Sequence, residues 1–156
     1  MGKGIQAEIK QTKPFKSLEE EASVALMRTA DQLAWRGAEM FKRNGLSPTQ
    51  YNALRILRGA GPKGLACNEI GERMINRDPD ITRLIDRLER RGLVARSREQ
   101  KDRRVITTRI TDAGLDILKK LDRPVEEFHR QLLGPMGERR LRSLLRLLET
   151  VRRRAE

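Results

Sequence analysis

Residues 79–92 read Pro79-Asp80-Ile81-Thr82-Arg83-Leu84-Ile85-Asp86-Arg87-Leu88-Glu89-Arg90-Arg91-Gly92, and this stretch decides the fold. Ile81, Leu84, Ile85 and Leu88 recur at i, i+3, i+4 and i+7, which draws one apolar stripe along a helix. Asp80, Arg83, Asp86, Arg87 and Arg90 occupy the opposite face. Asp78 is placed to cap this helix, and Pro79 fits its first position, where a missing N–H is no loss. Gly92 supplies the left-handed residue that commonly ends a helix. Two β-prone runs follow, Leu93-Val94-Ala95-Arg96 and residues 105–110, joined by the charged turn Ser97-Arg98-Glu99-Gln100-Lys101-Asp102-Arg103-Arg104. A basic helix followed at once by a basic hairpin has the outline of a recognition helix with a wing. A solvated amphipathic helix on a small sheet would explain the helix alone. The arginine-rich turn between two short strands turns the reading toward DNA.

Composition agrees with that direction. The chain has 156 residues, room for one domain and a sizeable core with a second helical layer. Its 34 Lys and Arg against 22 Asp and Glu give a formal net charge of +12. Such an excess favours a polyanionic partner, nucleic acid or an anionic membrane surface. No apolar run approaches the about 20 residues of a membrane span, and no signal-peptide core is visible, so no membrane partner is expected. The single Cys67 cannot close an intramolecular disulfide, in keeping with a reducing cytoplasm. With His129 it makes up the whole set of soft ligands, too few for a zinc site. Aromatic residues are 3% of the chain, which serves base-stacking platforms poorly and leaves double-stranded DNA, read by helix and charge, open as a partner. The sequence holds no phosphate loop, nucleophile constellation or carboxylate pair with an acid–base role, so neither an enzyme nor a cofactor is expected.

In chain order, residues 1–16 are polar and basic, with Gly2, Gly4 and Pro14, and read as a mobile arm. Ser17 and Glu20 have capping-box spacing ahead of a helix over 18–42. In it Ala22, Ala25, Leu26, Thr29, Leu33, Met40 and Phe41 recur at helical spacing. Trp35 lies off that stripe, where it can pack on a partner or line a ligand cleft; core or interface is the commoner fate. Asn44-Gly45 breaks the helix, and Ser47-Pro48-Thr49-Gln50 opens the next, with Ser47 as cap, Gln50 closing the box and Leu46 and Tyr51 spaced as a hydrophobic staple. That helix continues through Leu54, Ile56 and Leu57 to Gly59-Ala60-Gly61-Pro62. A link over 63–66 leads to a short helix over 68–75 with Ile70 and Met74 inward. Cys67 at its start is either a thiol activated by the helix N-terminus or, more in keeping with its lack of neighbours, a small filler. Asn76-Arg77-Asp78-Pro79 is a tight turn, and two helices so closely joined fit a helix-turn-helix.

Past the hairpin, Thr111 caps a helix over 112–133, which Pro124 must kink or interrupt. Gly134-Pro135 ends it. The last helix, 138–153, carries Leu141, Leu144, Leu145, Leu148 and Val151 in one stripe widened by Leu147. That is more leucine than a small winged domain buries, and a second copy of the chain, met also through Leu18 and Leu26, is the natural sink.

The order and the motifs resemble the MarR family of dimeric winged helix-turn-helix transcription regulators. The residues that carry the resemblance are Ile81-Thr82-Arg83-Leu84-Ile85-Asp86-Arg87-Leu88-Glu89, then Arg91-Gly92-Leu93-Val94, then Asp102-Arg103-Arg104 ahead of Ile110-Thr111-Asp112-Ala113-Gly114. The expected fold is mainly α with a small β-hairpin wing (α+β). Residues 1–16 form the arm, 17–46 and 112–156 a helical dimerisation region, and 47–111 the winged lobe.

The resemblance implies that helix 79–91 enters the major groove and that Arg104 reaches the minor groove, oriented by Asp102. Arg83 is then the best candidate for a base-edge contact, since bidentate arginine to guanine is the commonest specific pairing. Asp80 and Thr82 are placed for bases or backbone near the helix start. Arg77, Arg87, Arg98, Lys101 and Arg103 suit phosphates, and Arg90 suits pairing within the helix to Asp86 or Glu89. The resemblance further implies a small phenolic or anionic effector, for which Trp35, Arg36, Met40, Phe41, Tyr51 and His129 are candidates; core packing explains each as well. The redox-sensing branch of the family uses a cysteine in the first helix, and this chain has none there. Ala66 stands where the family commonly has Thr or Ser as cap of the short helix, with Asn68 as its expected substitute. The function expected is a sequence-specific homodimeric repressor reading an inverted repeat. The rivals are a nucleoid-type DNA binder and an interaction scaffold for an acidic partner.

Overall fold

Most of the long helices begin where a side-chain oxygen meets the free N–H groups of the first turn. The computed structural model describes residues 4–77, 80–98 and 104–155. They fall into two compact units, Met1–Asn52 and Ala53–Glu156.

In the first unit, α1 (Ile5–Glu8) precedes α2 (Leu18–Lys42), and α3 (Pro48–Ala60) begins. Ser17 Oγ accepts the Glu20 N–H at 3.2 Å, as the capping-box spacing predicts. The Glu20 carboxylate returns one residue further back than expected, to the N–H of Lys16 at 2.7 Å. Within the stretch expected to be a mobile arm, α1 forms a single turn held to α2. Glu8 Oε1 accepts from Arg28 Nε at 3.2 Å and from Gln32 Nε2 at 2.8 Å. The α3 box closes in both directions, Gln50 N–H to Ser47 Oγ at 3.2 Å and Ser47 N–H to Gln50 Oε1 at 3.0 Å. Behind it Tyr51 stacks on Phe41, ring centroids 4.2 Å apart. Leu46, expected to staple to Tyr51, is buried.

The second unit carries the rest of α3, a 3-10 turn (Gly61–Lys63), β1 (Leu65–Ala66), α4 (Cys67–Arg73), α5 (Ile81–Arg90), β2 (Val94–Arg98), β3 (Ile106–Ile110), α6 (Asp112–Leu133), a second 3-10 turn (Gly134–Met136) and α7 (Gly137–Arg154). The three strands form an antiparallel sheet ordered β1-β3-β2. Val94 pairs with Ile110 and Arg98 with Ile106 in the hairpin, while Leu65 faces Thr108 on the other edge. The link read as irregular at 63–66 therefore contributes a third strand; two residues are too few for an alternating pattern to register. Leu54, Leu57, Ile70, Ile85, Leu88, Val94, Leu118 and Leu121 are sealed from solvent. Each such side chain contributes roughly 1.5–3 kcal/mol relative to exposure, so the core of this unit is its main source of stability. Thr111 Oγ1 accepts the Gly114 N–H at 3.2 Å and donates to the Gly92 carbonyl at 2.6 Å, starting α6 and tying it to the end of α5. Helix α6 continues through the exposed Pro124, so of the expected kink or interruption the interruption does not occur. The fold is mainly helical with a small antiparallel sheet, the class the sequence leads one to expect.

Candidate nucleic-acid interface

The sequence stripe places α5 directly. Leu84, Ile85 and Leu88 are buried and Ile81 is half-buried, so Thr82, Arg83, Arg87 and Arg90 are turned to solvent. Helix α4 packs on α5 closely enough that a Cβ at Gly71 would lie 3.3 Å from Ile81 Cγ1. The Ala66 cap position of α4 has no side-chain acceptor. Neither Asn68 nor a hydroxyl replaces it; the Glu69 carboxylate accepts the Ala66 N–H at 2.8 Å, half of a capping box. The thiol of Cys67 is pushed above its ordinary value by burial, an effect that opposes the activation a helix N-terminus would give. Cys67 acts as the filler.

Helix α5 starts later than expected. Asp78 and Pro79, read as cap and first helical residue, lie outside the described residues. The cap is Asp80, whose Oδ1 accepts the Arg83 N–H at 3.0 Å. Its Oδ2 lies 3.0 Å from Arg83 Nε. The Arg83 side chain is nonetheless 77% exposed, so its guanidinium projects outward from the first turn of the helix. Gly92, at φ 69°, ends α5 in the left-handed conformation the sequence assigned to it.

The acids further along α5 have a partner that helical spacing does not show. Arg96 of β2 donates from Nε at 2.9 Å and Nη2 at 2.6 Å to Glu89 Oε2, and its backbone N–H reaches Glu89 Oε1 at 3.1 Å. Arg96 Nη2 also lies 2.6 Å from Asp86 Oδ1. Among the described residues neither Arg87 nor Arg90 pairs with these carboxylates; the acids expected to pair with Arg90 are taken by an arginine of the hairpin instead. The hydrogen bonds Arg96 donates hold the Glu89 carboxyl below its ordinary range, and the carboxylates that accept them, Glu89 first and then Asp86, raise Arg96 in turn. With these acids engaged, the outward cations of α5 are left to face a partner. Arg109 of β3 braces the hairpin from the other side, reaching the Pro62 carbonyl at 2.7 Å and Ser97 Oγ at 2.6 Å.

Of the remaining expected contacts, Arg77 and Arg98 are exposed on either side of α5, and Arg104 is exposed just before β3. Lys101, Asp102 and Arg103 lie outside the described residues. The effector candidates divide differently. Trp35 is 67% exposed and Arg36 is also open, Met40 is half-buried, and Phe41 and Tyr51 are taken up in their mutual stack. His129, in the other unit, lies beside Phe128. On α7 no residue is buried, and Leu145, Leu147 and Val151 are half exposed or more; Leu141, Leu144 and Leu148 are half-buried.

A short helix crossing a second, outward-facing basic helix, followed by a braced hairpin, defines a winged helix-turn-helix protein. Residues 46–106 match the family described as MarR. A MarR transcription factor from Planctomyces limnophilus is 45% identical, with a TM-score of 0.66 over 88% of this chain and 99% of its own. The PcaV transcriptional regulator of Streptomyces coelicolor, solved in complex with its natural ligand, is 26% identical with a TM-score of 0.70, over 92% of this chain and 100% of its own. The HTH-type transcriptional repressor MdtR of Bacillus subtilis is 40% identical over 76 residues, 49% of this chain and 48% of that protein. The match spans about half the length of three of the Bacillus subtilis relatives. The chain belongs to the MarR family. No helix among the described residues is long and apolar enough to cross a membrane.

Proposed function

We propose that this chain is a homodimeric repressor that binds double-stranded DNA sequence-specifically, with α5 in the major groove and the wing arginine Arg104 in the minor groove. One observation carries the reading: α5 buries Leu84, Ile85 and Leu88 while turning Thr82, Arg83 and Arg87 outward. A helix so divided can lay its polar face in a major groove while its apolar stripe stays in the core. Arg77, Arg87 and Arg98, with Lys101 and Arg103, supply phosphate contacts, which fix register without reading sequence. Asp102 orients Arg104. Family membership supports the regulatory role, and MdtR bears the name of a repressor.

A small phenolic or anionic effector that relieves binding belongs to the same proposal, supported by the ligand complex of PcaV. Exposed Trp35 and Arg36 are its first contacts to examine, because packing within the unit already accounts for Phe41 and Tyr51.

The decisive experiment is selection of bound duplexes from a random pool, followed by competition with random DNA. A regulator enriches one dyad-symmetric site and holds a specificity ratio of roughly 10³ or more. A nucleoid-type binder, the alternative reading, enriches nothing and competes equally with any duplex.

A further inference from the structure

We propose that Asp80 is a positioning residue for base recognition: it caps α5 and, with the same carboxylate, holds the Arg83 guanidinium in the pose that reads the major groove. The inference rests on the reading of Arg83 as a base contact. A capping side chain needs one oxygen on one backbone N–H, and Asp80 Oδ1 fills that role at 3.0 Å from the Arg83 nitrogen. The second oxygen is turned onto the side chain of the same residue, 3.0 Å from Arg83 Nε. Arg83 thus meets one carboxylate at two points, its backbone N–H in a hydrogen bond and its Nε in an ion pair. With Nε beside the carboxylate, the two Nη groups are the donors the proposal assigns to a base. Those two donors are the fork that matches the O6 and N7 acceptors of guanine.

The physical consequence is conformational. An arginine side chain carries about 2 kcal/mol of rotamer entropy, which a free surface arginine loses when it docks. A tether formed before binding removes part of that cost, and it does so only for the pose it enforces. Asp80 also adds a negative charge at a surface that must approach phosphates, an electrostatic disadvantage for affinity. A neutral cap would avoid it: Asn, Ser and Thr cap helices about as well as Asp. The acid makes sense where discrimination between sequences matters more than raw attraction.

Asp80→Asn tests this. Asn has nearly the same volume and keeps the cap through its one carbonyl oxygen, but turns an amide N–H toward the guanidinium where the carboxylate stood. Thermal unfolding should match wild type. Binding to random DNA should tighten slightly, since the net charge rises by one. Binding to a duplex enriched from a random pool should weaken, lowering the ratio of enriched to random affinity by about threefold to fivefold, the range an exposed ion pair can supply. Asp80→Ser, another good cap without the charge, should behave alike. If Asp80→Asn strengthens binding to both duplexes by the same factor, Asp80 is a cap only and the proposal is overturned.

Arg83→Ala separates this from the underlying reading. If Arg83→Ala leaves the ratio unchanged, Arg83 does not read a base, and the reading of α5 fails whatever Asp80 does. If Arg83→Ala lowers the ratio, Asp80→Asn added to it should lower it no further. A loss that persists in the double variant would mean that Asp80 touches DNA itself, and this too would overturn the positioning role.

Discussion

At the residue scale, Gly114 shows why a motif position carries the residue it does. It lies inside the first turn of α6, where alanine is favoured over glycine by about 1 kcal/mol on helix propensity alone. Yet a Cβ there would stand 2.4 Å from the Leu93 carbonyl oxygen and 2.7 Å from Ile110 Cγ1. The carbonyl cannot move away freely, because it accepts the Thr111 N–H at 3.1 Å at the start of the same helix. Overpacking of this kind costs typically about 1–3 kcal/mol, which outweighs the propensity gain. Gly114→Ala should therefore lower the denaturation midpoint; a midpoint at or above wild type in urea would show that the helix start shifts at little cost. The wing arginine supplies a second residue-scale prediction. Arg104→Ala should weaken binding most where the flanking minor groove is narrow and A·T-rich. On the proposed reading, in which Asp102 orients Arg104, Asp102→Ala should partly mimic it. Simple charge counting predicts the reverse. Operator binding by Asp102→Ala equal to wild type at matched salt would reduce the wing to a diffuse basic patch.

At the scale of elements, the Arg96 grip on Asp86 and Glu89 joins α5 to β2 and so sets the recognition helix against the hairpin. The side chains of Arg96 and Glu89 keep about a quarter and a third of their exposure, 26% and 36%, so solvent screens the pair. Its contribution belongs near the top of the range for exposed pairs, about 1 kcal/mol. Because the folded state holds Glu89 below its ordinary pKa, that contribution is fully present above the unfolded carboxylate value of about 4.3. It is lost as pH falls through the folded value. Urea unfolding of Glu89→Gln, at fixed protein concentration, should thus show a deficit at pH 7 that closes in acid; a deficit independent of pH would assign the loss to packing instead. This grip was not legible in the sequence. The caps at Ser17, Ser47 and Thr111 were, because cap and N–H are three residues apart and local spacing records them. The apolar stripe of α5 was legible for the same reason. Arg96 reaches its acids only through the turn at Gly92, so intrahelical spacing assigned them to Arg90. Strand β1 was missed because its pairing with β3 spans more than forty residues of chain and involves two residues of its own. The sequence assigns the start of α5 to Asp78, and the structure caps the helix with Asp80; both are aspartates able to cap, so residue type alone does not choose between them.

At the scale of the whole molecule, the apolar surface of α7 bears on assembly. The sequence offered Leu141, Leu144, Leu145, Leu148 and Val151 as one stripe, but its members are not equivalent. Leu145 is 65% exposed and Val151 50%, whereas Leu144 and Leu148 are half-buried within the chain. Charging the half-buried pair would damage the fold and the interface together. Leu145→Glu with Val151→Glu is the cleaner test, because both side chains already meet solvent in a single chain. Wild type should sediment as a dimer at micromolar concentration, and the double variant as a folded monomer with an unchanged helical signal. DNA binding then reports the symmetry. Two recognition helices related by a two-fold axis read half-sites about one helical turn, roughly 34 Å, apart. The monomer should retain its affinity for a duplex carrying one half-site and lose most of its advantage on the full inverted repeat, since the second half-site no longer binds within the same complex. Sedimentation of wild type as a monomer would remove the dimer from the proposal. A variant that stays monomeric yet still prefers the full repeat as strongly as wild type would place the pairing of half-sites in protein contacts made only on DNA.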